Sequence, residues 1–453
     1  MKGDFSRDSF DPLHRYSRVL MQMGRVELDA DVNEREAIQL HLQRTLAADL
    51  IGPAGGPGSG FEIKADKNTY SVEPGRYYVD GWMCENDALH LGDAAELKKE
   101  GVYLVYLDVW ERHVAAAEAD GAAQRRSPTA LREVALGGPD TASRAQLVWR
   151  VRAAWVDTVG AAPKWPTKAG EWGAWMAKPW VEWLVKWQAP NRGLLMAKAT
   201  DPAAAEPESA CVVAPQSRYR GLENQLYRVE IHRGGKAGEA TFVWSRENGS
   251  VLYAIAAIAG PTVTLAEIWR DARFALSVGD CVEISDDTVA LNGSAGSLHT
   301  VKAIDLDTLT VTLDSTPPIN TDKPDTHPVV RRWDHGGRKS GKDGSAELAE
   351  DGALQLQENG WLTIEDGLAV SFQREKKDEP TYRSGDYWLL PARVALGDVL
   401  WPLDPTGAPR AVPPHGVEHH YAPLAVMDVA KDGAVKVRQD VLLRRQFKQL
   451  VDL

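Results

Sequence analysis

The segment KGDFSRDSFDP (residues 2–12), followed by YSRVLMQMGRVEL (16–28) and DADVNEREAIQLHLQRTLAADLIGP (29–53), governs the interpretation of the whole chain. Its first part is polar and turn-forming with two separate phenylalanines, so we expect an extended arm that is pinned by its aromatic rings. Its second part is apolar on both sides of Gly24, which predicts two short strands or one bent strand.

The third part predicts an amphipathic helix. Asp31 and Glu34 have the spacing of a capping box, so we expect the helix to begin there, and Gly52 with Pro53 should end it. One face is apolar at four-residue spacing, through Ile38, Leu42, Leu46 and Leu50. Two interpretations stay open: this face covers a sheet of its own subunit, or arm and helix form an oligomer interface with a neighbouring subunit.

Composition limits the class of protein. A chain of 453 residues with 43% hydrophobic residues predicts two or three folded units and excludes a largely disordered protein. Its 64 acidic against 52 basic residues, with no stripe of Lys and Arg, disfavour nucleic acid as a partner. We find no signal-peptide pattern and no apolar run that could span a bilayer, so we expect a protein made in the cytoplasm without membrane insertion.

The body of the chain predicts a mainly β, multi-domain fold of antiparallel sheets and small barrels. Alternating apolar runs are joined by turn pairs such as Asp80-Gly81, which favour two-residue hairpins. A short helix capped by Asp440 is expected at the end. The predicted divisions are an arm and helix at 1–53, a Gly/Pro linker at 54–60, a first β domain at 61–262 with a Trp-rich insertion at about 155–217, a small barrel-like module at 263–335, a C-terminal β domain at 336–439 and a helix at 440–453.

The Trp-rich insertion holds seven of the sixteen tryptophans between positions 155 and 187. Their spacing is irregular and four prolines interrupt it, so neither one helical stripe nor one strand explains it. Because indole rings are favoured at interfaces, we predict that the segment docks on a partner, mainly through Trp172, Trp175, Trp180 and Trp183. Two alternatives remain: the rings cover the adjacent sheet, or they form a platform for sugar rings.

The best candidates for a metal site are His415, Glu418, His419 and His420. Imidazole and carboxylate groups bind Zn²⁺ when three or four converge, but prolines on both sides favour an extended loop that separates them. We therefore predict structural histidines and no required metal or cofactor. Phosphate loops, nucleophile elbows and zinc-protease helices are also missing from the sequence, and three distant cysteines match no metal motif, so we do not expect an enzyme.

Several segments resemble a bacterial family encoded in clusters for extracellular contractile injection systems and phage tail-like particles. They include KGDFSRDSFDP and GRVELDADVNE in the first 34 residues, PGRYYVDGWMCEN at 74–86, YLVYLDVWERHV at 103–114, RYRGLENQLYRVEIHRGG at 218–235 and TFVWSRENGSV at 241–251. The resemblance covers most of the chain, but it carries no catalytic motif.

The resemblance implies a structural component of such a particle, at the baseplate, the spike or a surrounding cage. It favours a homo-oligomer, with a trimer expected from the three-fold symmetry of spike-like assemblies, and other baseplate or spike proteins as partners. Assembly is expected in the bacterial cytoplasm, followed by an intracellular or lysis-released particle. Two alternatives are a carbohydrate-binding or carbohydrate-cleaving protein that uses the Trp-rich segment, and an assembly factor or cargo of the same particle.

Overall fold

The computed structural model describes residues 1–92, 96–120, 130–136, 140–159, 164–187, 192–200, 218–319, 326–336, 346–374 and 381–448. The fold is mainly β, with mostly antiparallel sheets, one closed small barrel and an N-terminal arm followed by a helix, which confirms these parts of the sequence-based prediction. No helix in the described ranges is long and apolar enough to cross a membrane.

The chain forms two compact units, and each is assembled from three separate segments. The first unit comprises residues 1–8, 113–145 and 191–416, and the second comprises 9–112, 146–190 and 417–453. The domains predicted from sequence are continuous segments. The difference arises because strands pair across long sequence separations, which composition and turn signals do not show.

The first unit contains two open sheets. The five-stranded sheet runs in the order Leu354–Gln355, Thr241–Ser245, Gln225–Arg233, Tyr387–Arg393 and Asp398–Val399. The three-stranded sheet runs in the order Leu362–Thr363, Leu368–Gln373 and Leu194–Ala199. Short helices cover Ala116–Asp120, Val134–Leu136 and Asp287–Leu291. In the five-stranded sheet, the central strand Gln225–Arg233 has a neighbour on each side, so Val229 pairs with both Trp244 and Trp388. Successive residues of this strand are buried, so both of its faces are covered.

The first unit also contains the six-stranded closed barrel. Its strands, in spatial order, are Leu252–Ala259, Thr262–Leu265, Thr310–Leu313, Ser297–Asp305, Cys281–Ser285 and Val329–Trp333. Inward residues such as Val263, Val282 and Val311 are buried and fill the interior, as in other small barrels. The barrel begins one strand earlier than the 263–335 module, because Leu252–Ala259 completes its closure.

The second unit is built from three sheets and its helices. The first sheet has the strand order Gln446–Phe447, Ala54–Pro57, Gly75–Val79 and Trp82–Asn86. The second has the order Ile63–Asp66, Thr69–Val72 and His90–Leu91. The third has the order Val435–Val437, His420–Val429, Gly101–Val114 and Arg144–Trp155. The helices are Pro12–His14, Asp29–Ile51, Val156–Val159, Ala169–Glu171, Trp172–Trp175, Met176–Trp180 and Val181–Trp187. Asp80 (φ 47°) and Gly81 (φ 81°) form the predicted hairpin turn.

The N-terminal helix Asp29–Ile51 starts earlier than predicted. Its N-cap is Leu28, without a side-chain hydrogen bond, so the capping box expected at Asp31 is wrong. The carboxylates of Asp29 and Asp31 in the first turn interact favourably with the helix dipole, which stabilises the earlier start. The predicted end is confirmed, because the Gly52 N–H donates to Ala48 O with Gly52 in a positive φ conformation.

The predicted strands in residues 16–28 are not formed. The segment has extended backbone with a turn in which Arg25 N donates to Gln22 O over 3.3 Å. Met23 is fully exposed and Val26 is 81% exposed, so the apolar pattern has no partner within the described chain. A two-stranded ribbon without further packing is marginal in water, which explains why pattern alone does not produce strands.

The predicted linker and the predicted C-terminal helix are both wrong. Within residues 54–60, Ala54–Pro57 forms a strand whose first three residues are buried. Glycine is needed for this close approach, because a Cβ on Gly56 would lie 2.6 Å from Arg76 O. Residues 440–448 are not helical; Gln446–Phe447 pairs in parallel with that strand. Residues 449–453 lie outside the described residues.

The Trp-rich segment packs into the core of the second unit, so the predicted docking surface is wrong. Trp172, Trp175, Trp180 and Trp183 are only 8%, 4%, 3% and 4% exposed. Their spacing of three, five and three residues places them on one helical face, and the segment is helical throughout, with the π-helical turn Met176–Trp180 between Trp172–Trp175 and Val181–Trp187. Of the rest of this insertion, residues 160–163, 188–191 and 201–217 lie outside the described residues.

Candidate functional site

The first candidate site is a seat for the N-terminal arm in the first unit. We define the arm seat by His113, Arg228, Glu230, Asn248 and Trp333, which surround residues 1–8. Arg228 and Glu230 come from the central strand of the five-stranded sheet, and both are buried. Burying charged side chains is costly unless they are paired, so their partners decide what the seat can bind.

The buried carboxylate of Glu230 binds the Lys2 side chain of the arm. Lys2 Nζ lies 2.9 Å from Glu230 Oε1, and Arg228 Nε donates to the other oxygen, Glu230 Oε2. Burial alone would raise the pKa of Glu230, but the cations of Arg228 and Lys2 outweigh it and hold this pKa at about 2. Lys2 also lies over the Trp333 ring at 5.3 Å.

The seat also holds the arm backbone. Asn248 Nδ2 donates to Met1 O and Gly3 O, each over 3.0 Å, and Gly3 N donates to Asn248 O over 3.2 Å. The Phe5 ring packs edge-on against His113 with centroids 6.1 Å apart, which fits the expected aromatic pinning of the arm. A Cβ on Gly3 would lie 2.7 Å from the Phe5 ring, so this position requires glycine. The seat therefore holds an extended segment of the same chain through both its side chains and its backbone.

The second candidate site is a polar cavity of about 520 Å³ between the five-stranded sheet and the barrel, within the first unit. Arg246 binds Glu365 through two nitrogens, over 2.6 and 2.8 Å, and Asp334 over 3.1 Å. Arg332 lies 3.1 Å from Asp334 and 3.3 Å from Glu247. These ion pairs join strands of the sheet to strands of the barrel, which is a stabilising arrangement.

Burial shifts the pKa values of two carboxyl groups in this cavity. Desolvation, with the nearby Asp334 charge, raises the pKa of Glu247, and desolvation also raises the pKa of Asp280. Tyr227 donates to Glu365 over 3.0 Å, while Arg220 donates to backbone carbonyls at the more exposed rim. The cavity thus offers both donors and acceptors to a small polar molecule.

His335, next to this network, is a fully buried titratable group. Its Nε2 lies 3.0 Å from Gly352 O, and burial lowers the pKa of the imidazole to about 4. His113 is also affected, because burial followed by the Arg331 charge lowers its pKa to about 3. Both rings are neutral in the folded protein at neutral pH.

We expect the free energy of unfolding of the first unit to fall as the pH drops from 7 to 5. The unfolded histidines, with an ordinary pKa near 6.5, bind more protons than the folded ones, so stability is complete above that value and decreases towards pH 4. Each group contributes a slope of up to about 1.4 kcal/mol per pH unit. Urea unfolding at both pH values measures it; His335→Gln should reduce the slope without removing it, because the pKa values of His113, His299 and the Met1 amino group are also lowered. The exposed His14→Gln should not change the slope. An unchanged slope in His335→Gln would contradict this assignment.

The structure does not bring the predicted metal ligands together. His419 Nδ1 lies 2.6 Å from Asp108 Oδ1, and His420 Nδ1 lies 3.0 Å from Asp80 Oδ2, so the two rings serve different carboxylates. Glu418 is exposed, and the His415 backbone pairs with Tyr387. Among the residues that the structure describes, no group of three or more His, Cys, Asp or Glu side chains is arranged for a metal ion.

The predicted helix interface divides into two faces. Ile38 is 2% exposed, and Arg44 lies over the Trp82 ring at 3.3 Å within the second unit. We define the outward helix face by the remaining predicted residues, Leu42, Leu46 and Leu50, which are 47%, 60% and 78% exposed. Covering a sheet of the same chain therefore accounts for Ile38 but not for the outward helix face.

Sequence reasoning missed the arm seat. The strand containing Arg228 and Glu230 shows the alternation typical of a half-solvated strand, yet both faces are buried. One signal that could have indicated the arm seat was the presence of opposite charges, Arg228 and Glu230, in that strand, together with Lys2 in the arm. Neither pattern shows which segments meet, because that depends on long-range strand pairing.

A family model described as a family of unknown function, DUF6519, matches residues 1–163 and 192–442. No curated protein and no solved structure gave a significant match.

Proposed function

This chain belongs to that family, and we propose that it is a structural component of a contractile injection system, a phage tail-like particle, placed at the baseplate, the spike or a surrounding cage. It acts there as a homotrimer that contacts other baseplate or spike proteins. The proposal is supported by the segments that resemble proteins of such particles and by a β-rich architecture. The observation that carries it is the outward helix face.

The segment before the helix also exposes apolar side chains. Leu20, Met23 and Val26 are 69%, 100% and 81% exposed. Exposed apolar surface favours association, and burying one leucine side chain contributes about 1.5–3 kcal/mol. A second copy of the chain is the partner we infer, because symmetric copies can bury the same apolar face against each other.

We expect Leu46→Asp combined with Leu50→Asp to convert the oligomer to a monomer without unfolding it. Both side chains are already exposed in the single chain, so the charges cost little there but cannot be buried in an interface. Light scattering measures the mass and thermal melting measures the fold.

Gln43→Asp with Thr45→Asp is the matched control, because it adds two charges at exposed polar positions of the same helix. An oligomer of unchanged mass in the leucine variant would exclude this face as the interface.

Purified particles separate this proposal from its alternatives. A structural component is present at fixed stoichiometry in mature particles, whereas an assembly factor is absent and a cargo is lost when particles are emptied. Carbohydrate binding by the Trp-rich segment is disfavoured, because the four central tryptophan rings that would stack on sugar rings are buried. Absence of the chain from intact particles would overturn the proposed function.

A further inference from the structure

We propose that the N-terminal arm is exchanged between copies, so that residues 1–8 of one chain occupy the arm seat of a neighbouring copy in the oligomer. This inference rests on the proposed function, since it requires a homo-oligomer. It deepens that function by naming the ligand of the seat: an extended peptide that carries a lysine side chain followed by glycine.

The seat recognises the arm through contacts that stay the same whichever chain supplies it. Glu230 pairs with Lys2, Asn248 holds the backbone of Gly3, and Phe5 packs against His113. Arg393 adds a hydrogen bond from Nη2 to Ser6 O over 2.7 Å. A buried ion pair of this kind contributes selectivity, because an arm without the matching charge leaves Glu230 less well compensated.

The segment that follows the arm allows exchange with little loss of contacts. Directly after the arm, Ser9 Oγ donates to Glu34 Oε2 over 2.7 Å and the Phe10 ring lies 5.9 Å from the His41 ring. Of residues 12–29, all except Val19 are exposed, and Gln39 Nε2 donates to Ser17 O over 3.3 Å. The fourteen residues 15–28, between the short helix Pro12–His14 and the helix that begins at Asp29, can span up to about 45–50 Å when extended. Exchange therefore preserves the seat contacts and sacrifices few others, which is the usual condition for swapping an element between identical subunits.

Charge reversal of one ion pair tests the exchange in the full chain. Lys2→Glu gives a chain whose arm repels the acidic seat, and Glu230→Lys gives a chain whose seat repels the basic arm. The double variant restores a pair of opposite charges within every chain. The two single variants carry different affinity tags and are co-expressed, and tandem purification followed by light scattering measures mixed oligomers.

Exchange predicts that each single variant alone associates about tenfold or more weakly than the wild type. The co-expressed pair should form mixed oligomers, because the acidic arm of the Lys2→Glu chain fits the basic seat of the Glu230→Lys chain, and the two unaltered parts fit each other. A mixed trimer then has two matched seats and one mismatched seat, so it should associate more strongly than either single variant and more weakly than the wild type. Single variants that stay monomeric when mixed, while the double variant assembles, would show that the arm is seated in its own chain. Single variants that assemble like the wild type would also overturn the exchange.

A milder pair guards against misfolding of the Glu230→Lys chain. Lys2→Ala keeps an intact seat and Glu230→Gln keeps an intact arm, so co-expression again restores assembly only if arms cross between chains. Failure of the exchange is distinguishable from failure of the proposed function: in the first case the wild-type oligomer persists without complementation, and in the second the wild-type chain is itself monomeric or absent from particles.

Discussion

Trp175→Ala combined with Trp183→Ala is expected to unfold the second unit under conditions in which the wild type is folded. Both rings are at most 4% exposed, and each packs against Trp165 with ring centroids 5.8–5.9 Å apart. Truncating a buried tryptophan costs about 3–5 kcal/mol, so the pair approaches the whole stability of an ordinary domain, about 5–15 kcal/mol. Circular dichroism during urea unfolding measures the effect.

The control for this experiment is Trp361→Ala, which removes a partly exposed ring from the first unit and should change stability much less. The double variant also decides between core and docking roles for the segment. A normal melting temperature together with lost assembly would contradict the core assignment and restore a docking role.

Arg332→Met is expected to destabilise the first unit by about 1.5–3 kcal/mol, because Asp334 and Glu247 each lose one charged partner, although Arg246 still pairs with Asp334 and Arg273 with Glu247. Arg332 is only 6% exposed and bridges Asp334 and Glu247, and its Nη1 also donates to Ala275 O over 2.7 Å. Methionine keeps much of the side-chain volume, so the loss reports on charge and hydrogen bonds. Urea unfolding of the variant and the wild type measures it.

Two further variants make this prediction specific. Arg220→Met alters an exposed arginine at the rim of the same cavity and should be nearly neutral. Adding Glu247→Gln to Arg332→Met should recover part of the loss, since the uncompensated charge is then smaller. A full-sized effect in Arg220→Met, or strict additivity in the double variant, would contradict the explanation.

Local signals in the sequence predicted local structure well. The turn at Asp80-Gly81 and the helix end at Gly52 follow from backbone preferences of one or two residues, and the mainly β class follows from alternation. The stretch at 54–60 failed because glycine suits a linker and also a strand that another backbone approaches closely. Composition cannot separate the two, whereas the position of Arg76 O, only 2.6 Å from where a Cβ on Gly56 would lie, decides between them.

The candidate sites were less predictable than the fold. The Trp-rich segment was misassigned because its seven indole rings were treated as one set, whereas the four central rings fall on one α-helical face. Trp172 and Trp183 are eleven residues apart, which is close to three full turns of an α-helix. The pairing of Lys2 with Glu230 joins positions more than two hundred residues apart, so only the completed sheet reveals it. The sequence placed Ile38 and Leu46 on one apolar helix face, but it did not show that Ile38 is buried while Leu46 is exposed.

The order of the strands in the second unit has a consequence for synthesis on the ribosome. Ala54–Pro57 pairs with Gln446–Phe447, and Trp172 Nε1 donates to Leu443 O over 2.8 Å, so early segments need partners that are translated much later. The last segment of the first unit ends at residue 416, which allows that unit to close first. At translation rates of about 5–20 residues per second, the nascent N-terminal half of the second unit stays incomplete for tens of seconds, exposing apolar strands that a chaperone would bind.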